Sequence, residues 1–306
     1  MEKNEERLRR AKYCIEGLSV GDAFGEQFFI EDSMAEQLVE NRVLPPAPWY
    51  FTDDTLMTLS IFSILRQVGE IAQEQLAKSF AQRYEFSRGY GPAMHRLLSQ
   101  IAEGRSWKEV SKSLFAGQGS FGNGAAMRVA PIGAYFADDL DAVVQQAYLS
   151  AEITHAHDEA IAGAIAVAVA TAWAWKLSDL EERPSYSEFL DLILPLVPKS
   201  EVSGKIRIAR DMHKDASLQF AISVLGNGTG LCAQDTVPFS LWCVAHHINS
   251  YEQALWLTVG GQGDRDTTCA IVGGIVVMYA GLESVPSQWL SAREPLPLWA
   301  FQEVLF

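Results

Sequence analysis

Trp49-Tyr50-Phe51-Thr52-Asp53-Asp54-Thr55-Leu56-Met57-Thr58-Leu59 is the stretch on which the reading of this chain turns. Thr52 has the side chain of a helix N-cap, and Asp53 and Asp54 fall in the first turn, where the helix dipole offsets part of their charge. The ordinary reading is a capped helix with two exposed acids. Adjacent carboxylates repel each other, however, and a bound cation is the natural way to hold them together. A second acidic stretch about two hundred residues later, Gly263-Asp264-Arg265-Asp266-Thr267-Thr268, again sets acids and a hydroxyl before an apolar run. Two such helix starts facing each other would offer carboxylate and hydroxyl oxygens to one or two hard cations. For that they must share one domain, so residues 1–306 are read as a single unit.

The composition fits such a unit. With 48% hydrophobic and 20% charged residues, the chain can bury a sizeable core. A formal charge of −14 excludes a polyanion such as nucleic acid as a bulk-electrostatic partner. Cys14, Cys232, Cys243 and Cys269 show neither zinc nor disulfide spacing, which suits a reducing cytoplasm. The charged N-terminal decapeptide has no apolar signal-peptide core. The Ala-rich uncharged run 160–175 is short for a membrane span and reads as a central buried helix. No membrane association is expected, and a monomer is.

Outward from the acidic stretch the periodicity is helical. A helix is predicted from Leu8 to Gly17, and Gly17, Gly21 and Gly25 then recur every four residues and invite close backbone approach. Residues 31–48, with three prolines, read as a loop. The acidic helix runs from Asp53 to about Val68, ended by Gly69. Further helices are predicted at 73–86, 92–103 and 106–115, the last with a capping-box pattern at Ser106 and Glu109. Others follow at 139–153, 157–177, 186–196, 203–213, 236–248, 251–258, 268–281 and 286–292. Alternation of period two is scarce, so the fold class is all-α.

Gly119-Ser120-Phe121-Gly122-Asn123-Gly124 reads as a glycine-rich loop whose backbone N–H groups cradle phosphate oxygens; an ordinary turn is the competing reading. Arg128, one turn on, either supports an anion or pairs with an internal acid. His155 and His157 have no third ligand spaced for zinc, so hydrogen bonding to a sugar or phosphate is the better functional reading. His246 and His247 read as structural.

Taken in order, Gly17-Leu-Ser-Val-Gly21-Asp22-Ala-Phe-Gly25, Phe51-Thr-Asp-Asp-Thr55, Gly119 to Arg128, Thr154-His155-Ala-His157 and Gly263-Asp-Arg-Asp-Thr267 resemble the ADP-ribosylglycohydrolase family. The resemblance covers roughly residues 10–282. It implies an orthogonal multi-helix bundle with a two-magnesium site, manganese being the other candidate, that cleaves ADP-ribose from an acceptor on a protein or small molecule. By matched position, Thr52, Asp53, Asp54, Asp264, Asp266 and Thr267 are the implied metal ligands. Asp53, Asp54 and Asp264 are the implied catalytic acids, with Asp54 the expected proton acceptor from water. Gly119, Ser120, Phe121, Gly122, Asn123, Gly124 and His155 are the implied substrate contacts.

The chain departs from the family pattern in three places. Gln262-Gly263 lengthens the loop before Asp264. Phe29 stands where relatives often carry Glu, with Glu26 and Glu31 near it. Gly89 stands where some bacterial relatives carry Asp. Two other readings compete: a hydrolase of a related N- or O-glycoside without ADP-ribose, and a non-enzymatic crystallin-like member. Retention of all six implied ligands favours an enzyme.

Overall fold

The computed structural model describes residues 2–180 and 184–302, which form sixteen α-helices; among the described residues there is no β-strand. The expected span of 1–306 includes residues 1, 181–183 and 303–306, which lie outside those described. The first half of the chain forms α1 (Glu2–Glu26), α2 (Asp32–Glu40), α3 (Asp53–Val68), α4 (Gln73–Gln82), α5 (Pro92–Ala102) and α6 (Trp107–Gly117). There follow α7 (Ala130–Tyr135), α8 (Leu140–Glu152), α9 (Asp158–Ser178), α10 (Tyr186–Ile193) and α11 (Glu201–Asp211). The last are α12 (Leu218–Leu225), α13 (Ala233–His247), α14 (Tyr251–Gly260), α15 (Arg265–Ala280) and α16 (Ser287–Ala292).

The organising contact is α1 against α15. Gly17, Gly21 and Gly25 do not end α1; they lie inside it, on one face. A β-carbon at Gly21 would collide with the carbonyl oxygen of Cys269, and one at Gly25 with that of Arg265. Removing three side chains thus lets two backbones touch, which fixes the register of α1 on α15. The close approach expected from the glycine spacing is made by a helix. α9 is long and apolar enough to cross a membrane by length and composition alone, yet most of it is buried within the protein, against α8, α7, α13 and α15.

Several expectations are corrected. The supposed loop 31–48 contains α2, whose Ala35 is buried and whose Leu38 and Val39 pack partly against the core. That three-residue stripe is too short to stand out beside three prolines. The capping box at Ser106 does not form: Ser106 precedes α6 but makes no side-chain cap, and the helix kinks at Leu114, Phe115 and Ala116. α7 and α12 were not anticipated. α7 is buried at all six positions, so it has no amphipathic stripe. α13 begins at Ala233 and carries Pro238 in its interior, and α15 begins three residues before the predicted 268.

Candidate functional site

Three helix segments bring carboxylates together. α3 starts at Thr52, whose hydroxyl accepts the N–H of Asp54 at 3.4 Å, the cap its sequence predicts. Behind it Asp22, projecting from the C-terminal end of α1, is fully buried. Its carboxylate accepts the backbone N–H groups of Thr52 and Thr55 at about 3.0 Å. It also accepts their hydroxyls, at 2.9 and 2.5 Å. The Thr52 hydroxyl stands 3.0 Å from Asp54 Oδ2 as well, and its single proton cannot serve two carboxylates. From the opposite side, the start of α15 supplies Asp264, Asp266 and Thr267. Asp266 Oδ1 accepts the N–H of Thr267 at 2.8 Å, and Asp264 Oδ2 accepts the Asn123 amide at 2.6 Å.

The electrostatics follow from burial and mutual repulsion. Burial, then Asp266 and Asp22, holds Asp53 well above the usual carboxylate range; Asp54 is raised by burial, Asp266, Asp22 and Asp53. Asp22 is pushed up to about 7 by burial, partly offset by its four hydrogen bonds. Asp264 and Asp266 also reach about 7, first through burial, then through Asp266 and Asp22 respectively. Asp54 Oδ1 is buried with no hydrogen-bond partner. This is an all-oxygen donor set with excess negative charge and an orphaned carboxylate oxygen, which suits a hard divalent cation. Among the described residues, no three Cys, His, Asp or Glu side chains already form a closed ion-binding group. The acids come as facing pairs, so hydroxyls and waters would have to complete any coordination.

Above the acids lies a cleft of about 890 Å³. Asp53, Asp264, Asp266 and Thr267 form its floor, and Ser120, Phe121, Gly122, Asn123, Gly124 and His155 one wall. Thr52, Asp54 and Gly119 are absent from this lining. Thr52 and Asp54 therefore do not open on the cleft. Gly119 turns the chain, with φ +76°, hard against the backbone of Ala156 and His157. The expected cradle is also smaller than its sequence suggests. The N–H groups of Gly119, Gly122 and Asn123 are engaged by Leu114 O, Ser120 Oγ and Leu231 O. At most those of Ser120, Phe121 and Gly124 are left for a ligand. Asn123 acts on Asp264 and on the Thr236 hydroxyl, at 2.9 Å.

His155 is built into the wall through Arg128. Arg128 is fully buried and binds the carbonyls of Gly124 and Ser150 at 3.0 Å and the Thr154 hydroxyl at 2.9 Å. It therefore ties the loop to α8; it makes no ion pair among the described residues, but Asp53 is near enough to favour its charged form. Thr154 Oγ1 accepts from Arg128 and lies 2.7 Å from His155 Nδ1. Burial and then Arg128 push His155 down to about 3, so it is neutral; in the tautomer in which Thr154 donates to Nδ1, an Nε2–H lies beneath Gly122 and Gly124. His157 caps α9 by accepting the Glu159 N–H at 3.1 Å. His246 bonds the Trp242 carbonyl at 2.8 Å, a structural contact.

Two contributors escaped the sequence reading. Asp22 carries a signal, a lone acid within Ser19-Val20-Gly21-Asp22-Ala23-Phe24, where a helix is otherwise apolar. Phe115 carries none: it is 52% exposed at the mouth of the cleft, with φ +51°, and its ring lies 5.7 Å from that of Phe121.

Comparison with known proteins bears on this cleft. The sequence profile of the ADP-ribosylglycohydrolase family matches residues 3–304. ADP-ribosylhydrolase ARH3 of Mus musculus is 28% identical, covering 94% of this chain and 88% of that protein. An uncharacterized protein of Archaeoglobus fulgidus is 33% identical over 94% of this chain and 91% of its own length. Among solved structures, one called an ADP-ribosylglycohydrolase-related protein complex matches with a TM-score of 0.64 at 25% identity, covering 96% of this chain and 94% of that one.

Proposed function

Because this chain belongs to the ADP-ribosylglycohydrolase family and is thus a glycosyl hydrolase, we propose that it releases ADP-ribose from an ADP-ribosylated protein side chain or small conjugate in a magnesium-dependent reaction. The observation that carries this reading is the convergence of Asp53 with Asp264 and Asp266 on the floor of a cleft whose wall and mouth suit the rest of the ligand. Thr52, Asp53, Asp54, Asp264, Asp266 and Thr267 would hold two magnesium ions, or manganese. Bound there, the cations would lower the pKa of a water and orient the ribose hydroxyls.

The chain's own residues supply the remainder. The Phe115 and Phe121 rings, tilted 38° to one another, offer apolar surface against which a purine base can pack. The loop 120–124 lies close enough to approach a diphosphate through its backbone, and the neutral His155, in the tautomer with Nε2–H, is a donor to a ribose or phosphate oxygen. Cleavage at an anomeric carbon passes through an oxocarbenium-like state, which buried carboxylates stabilise. Asp53, which lines the cleft, is better placed than the sealed Asp54 to take the proton of an attacking water. Asn123 orients Asp264 beside it.

The test is a hydrolysis panel of ADP-ribosyl-arginine, ADP-ribosyl-serine, O-acetyl-ADP-ribose and ADP-ribosylated nucleic acid, with magnesium and with EDTA. Release of ADP-ribose from at least one conjugate, lost in EDTA, is expected. No release from any member would refute the proposal.

A further inference from the structure

We infer that the recess on the far side of Gly89 receives the acceptor half of the substrate, and that its carboxylates select acceptors carried in a basic peptide. The inference rests on the reading above, since it concerns what is attached to the released ADP-ribose.

The recess, about 390 Å³, lies between Glu26 at the end of α1, the segment Tyr50–Thr52, and the turn Glu85–Gly89. Gly89 lines both this recess and the cleft. A β-carbon on Gly89 would stand 3.6 Å from Asp53 Oδ1 and 3.6 Å from Thr52 Cβ, and its φ of +84° favours glycine. A bare backbone is therefore what separates the two spaces beside Asp53. A conjugate with its anomeric carbon over Asp53 and its ADP-ribose in the cleft must direct its other half elsewhere, and this is the adjoining space. Its volume is under half that of the cleft, enough for a side chain and not for a second nucleotide.

Its charge is one-sided. Glu26, Glu85 and Glu294 face a single cation, Arg88. That guanidinium is already committed: it pairs with Glu294, with Glu85 at 3.0 Å and with the Phe51 carbonyl at 2.8 Å, and lies 4.3 Å over the Phe51 ring. An excess of negative charge remains, with Tyr50, 57% exposed, as an aromatic face at the rim. Lysines or arginines flanking a modified side chain would find carboxylates and an aromatic ring. Flanking acids would find repulsion, and the net charge of −14 extends that preference to the approach.

The experiment uses one ADP-ribosylated residue in three peptides, flanked by lysines, by neutral residues or by glutamates. The conjugate is the one the hydrolysis panel shows to be cleaved. The lysine peptide is expected to have a KM at least about tenfold below that of the glutamate peptide, with a gap that closes as salt is raised. Glu26→Gln and Glu85→Gln should each narrow the gap, acting on KM more than on kcat. Equal KM values for the three peptides, or a gap untouched by both substitutions, would overturn the inference while leaving the hydrolase reading intact. No release from any peptide, with the panel conjugate still cleaved, would overturn the inference alone.

Discussion

Asp266 is where binding and chemistry can be told apart. Asp264, not Asp266, occupies the N-cap position of α15, and Asp266 lies inside the first turn. If Asp266 serves only the helix start, Asp266→Asn should change little, since Asn is compatible with that position. If it holds a cation that matters most as charge develops at the anomeric carbon, kcat should fall at least about a hundredfold, roughly 2.7 kcal/mol of barrier, with KM much less affected. Single-turnover kinetics decides, and a near-normal chemical step would remove the metal-assisted route. Asp22 makes a different forecast, for stability. Asp22→Ala strands two backbone N–H groups and the Thr55 hydroxyl in the interior, the Thr52 hydroxyl keeping Asp54 as acceptor, and each unsatisfied group costs about 1–3 kcal/mol. Urea titration should find a loss of at least about 3 kcal/mol; an unchanged midpoint would mean that Asp22 does not hold the start of α3.

At the scale of elements, α1 and α15 meet through glycines, and one substitution sets two effects against each other. Ala is about 1 kcal/mol better than Gly inside a helix, which favours Gly21→Ala. The new methyl meets the Cys269 backbone, which cannot rotate aside, and overpacking costs about 1–3 kcal/mol. The clash should win, and a raised Tm for Gly21→Ala would show that the helices can separate at little cost. In the substrate wall, Gly122→Val should weaken ADP-ribose binding by calorimetry without unfolding the protein. A β-carbon there stands 3.2 Å from His155 Nε2 and from Ser120 Oγ, so the wall must shift. These elements also show what a sequence can reveal. Thr52, Asp53, Asp54, Asp264 and Asp266 stood out because acids before apolar runs are rare and local. That Gly17, Gly21 and Gly25 admit a close neighbour was legible from spacing, though not that the neighbour is a helix. Asp22 and Phe115 were missed because their importance arises from what the fold sets beside them. α7 was missed because burial on every side erases the periodicity by which a helix is recognised.

For the molecule as a whole, the acids make stability depend on pH and metal together. Asp22, Asp264 and Asp266 stand at about 7 in the folded protein against an ordinary 3.8. Between about pH 4 and pH 7 the folded state therefore binds more protons than the unfolded one, and without divalent cation its stability should fall as pH rises through that window. Millimolar magnesium should offset the loss by binding the folded state alone. Melting in EDTA and in magnesium at pH 5 and 7.5 tests both arms: a Tm at pH 7.5 indifferent to magnesium would contradict the donor set. The glycine seam has one more consequence, in time. It joins residues 17–25 to residues 265–273, so closing it spans about 240 residues or more, a long loop whose entropy must be met before the contact is made. At ribosomal speed the interval between the two ends is on the order of ten seconds or more. Throughout it the nascent chain carries Asp22, Asp53 and Asp54 with nothing opposite them, and if the proposed centre needs Asp264 and Asp266, a polypeptide interrupted before residue 266 holds no half-working version of it: such a catalyst is absent until nearly its last helix is made.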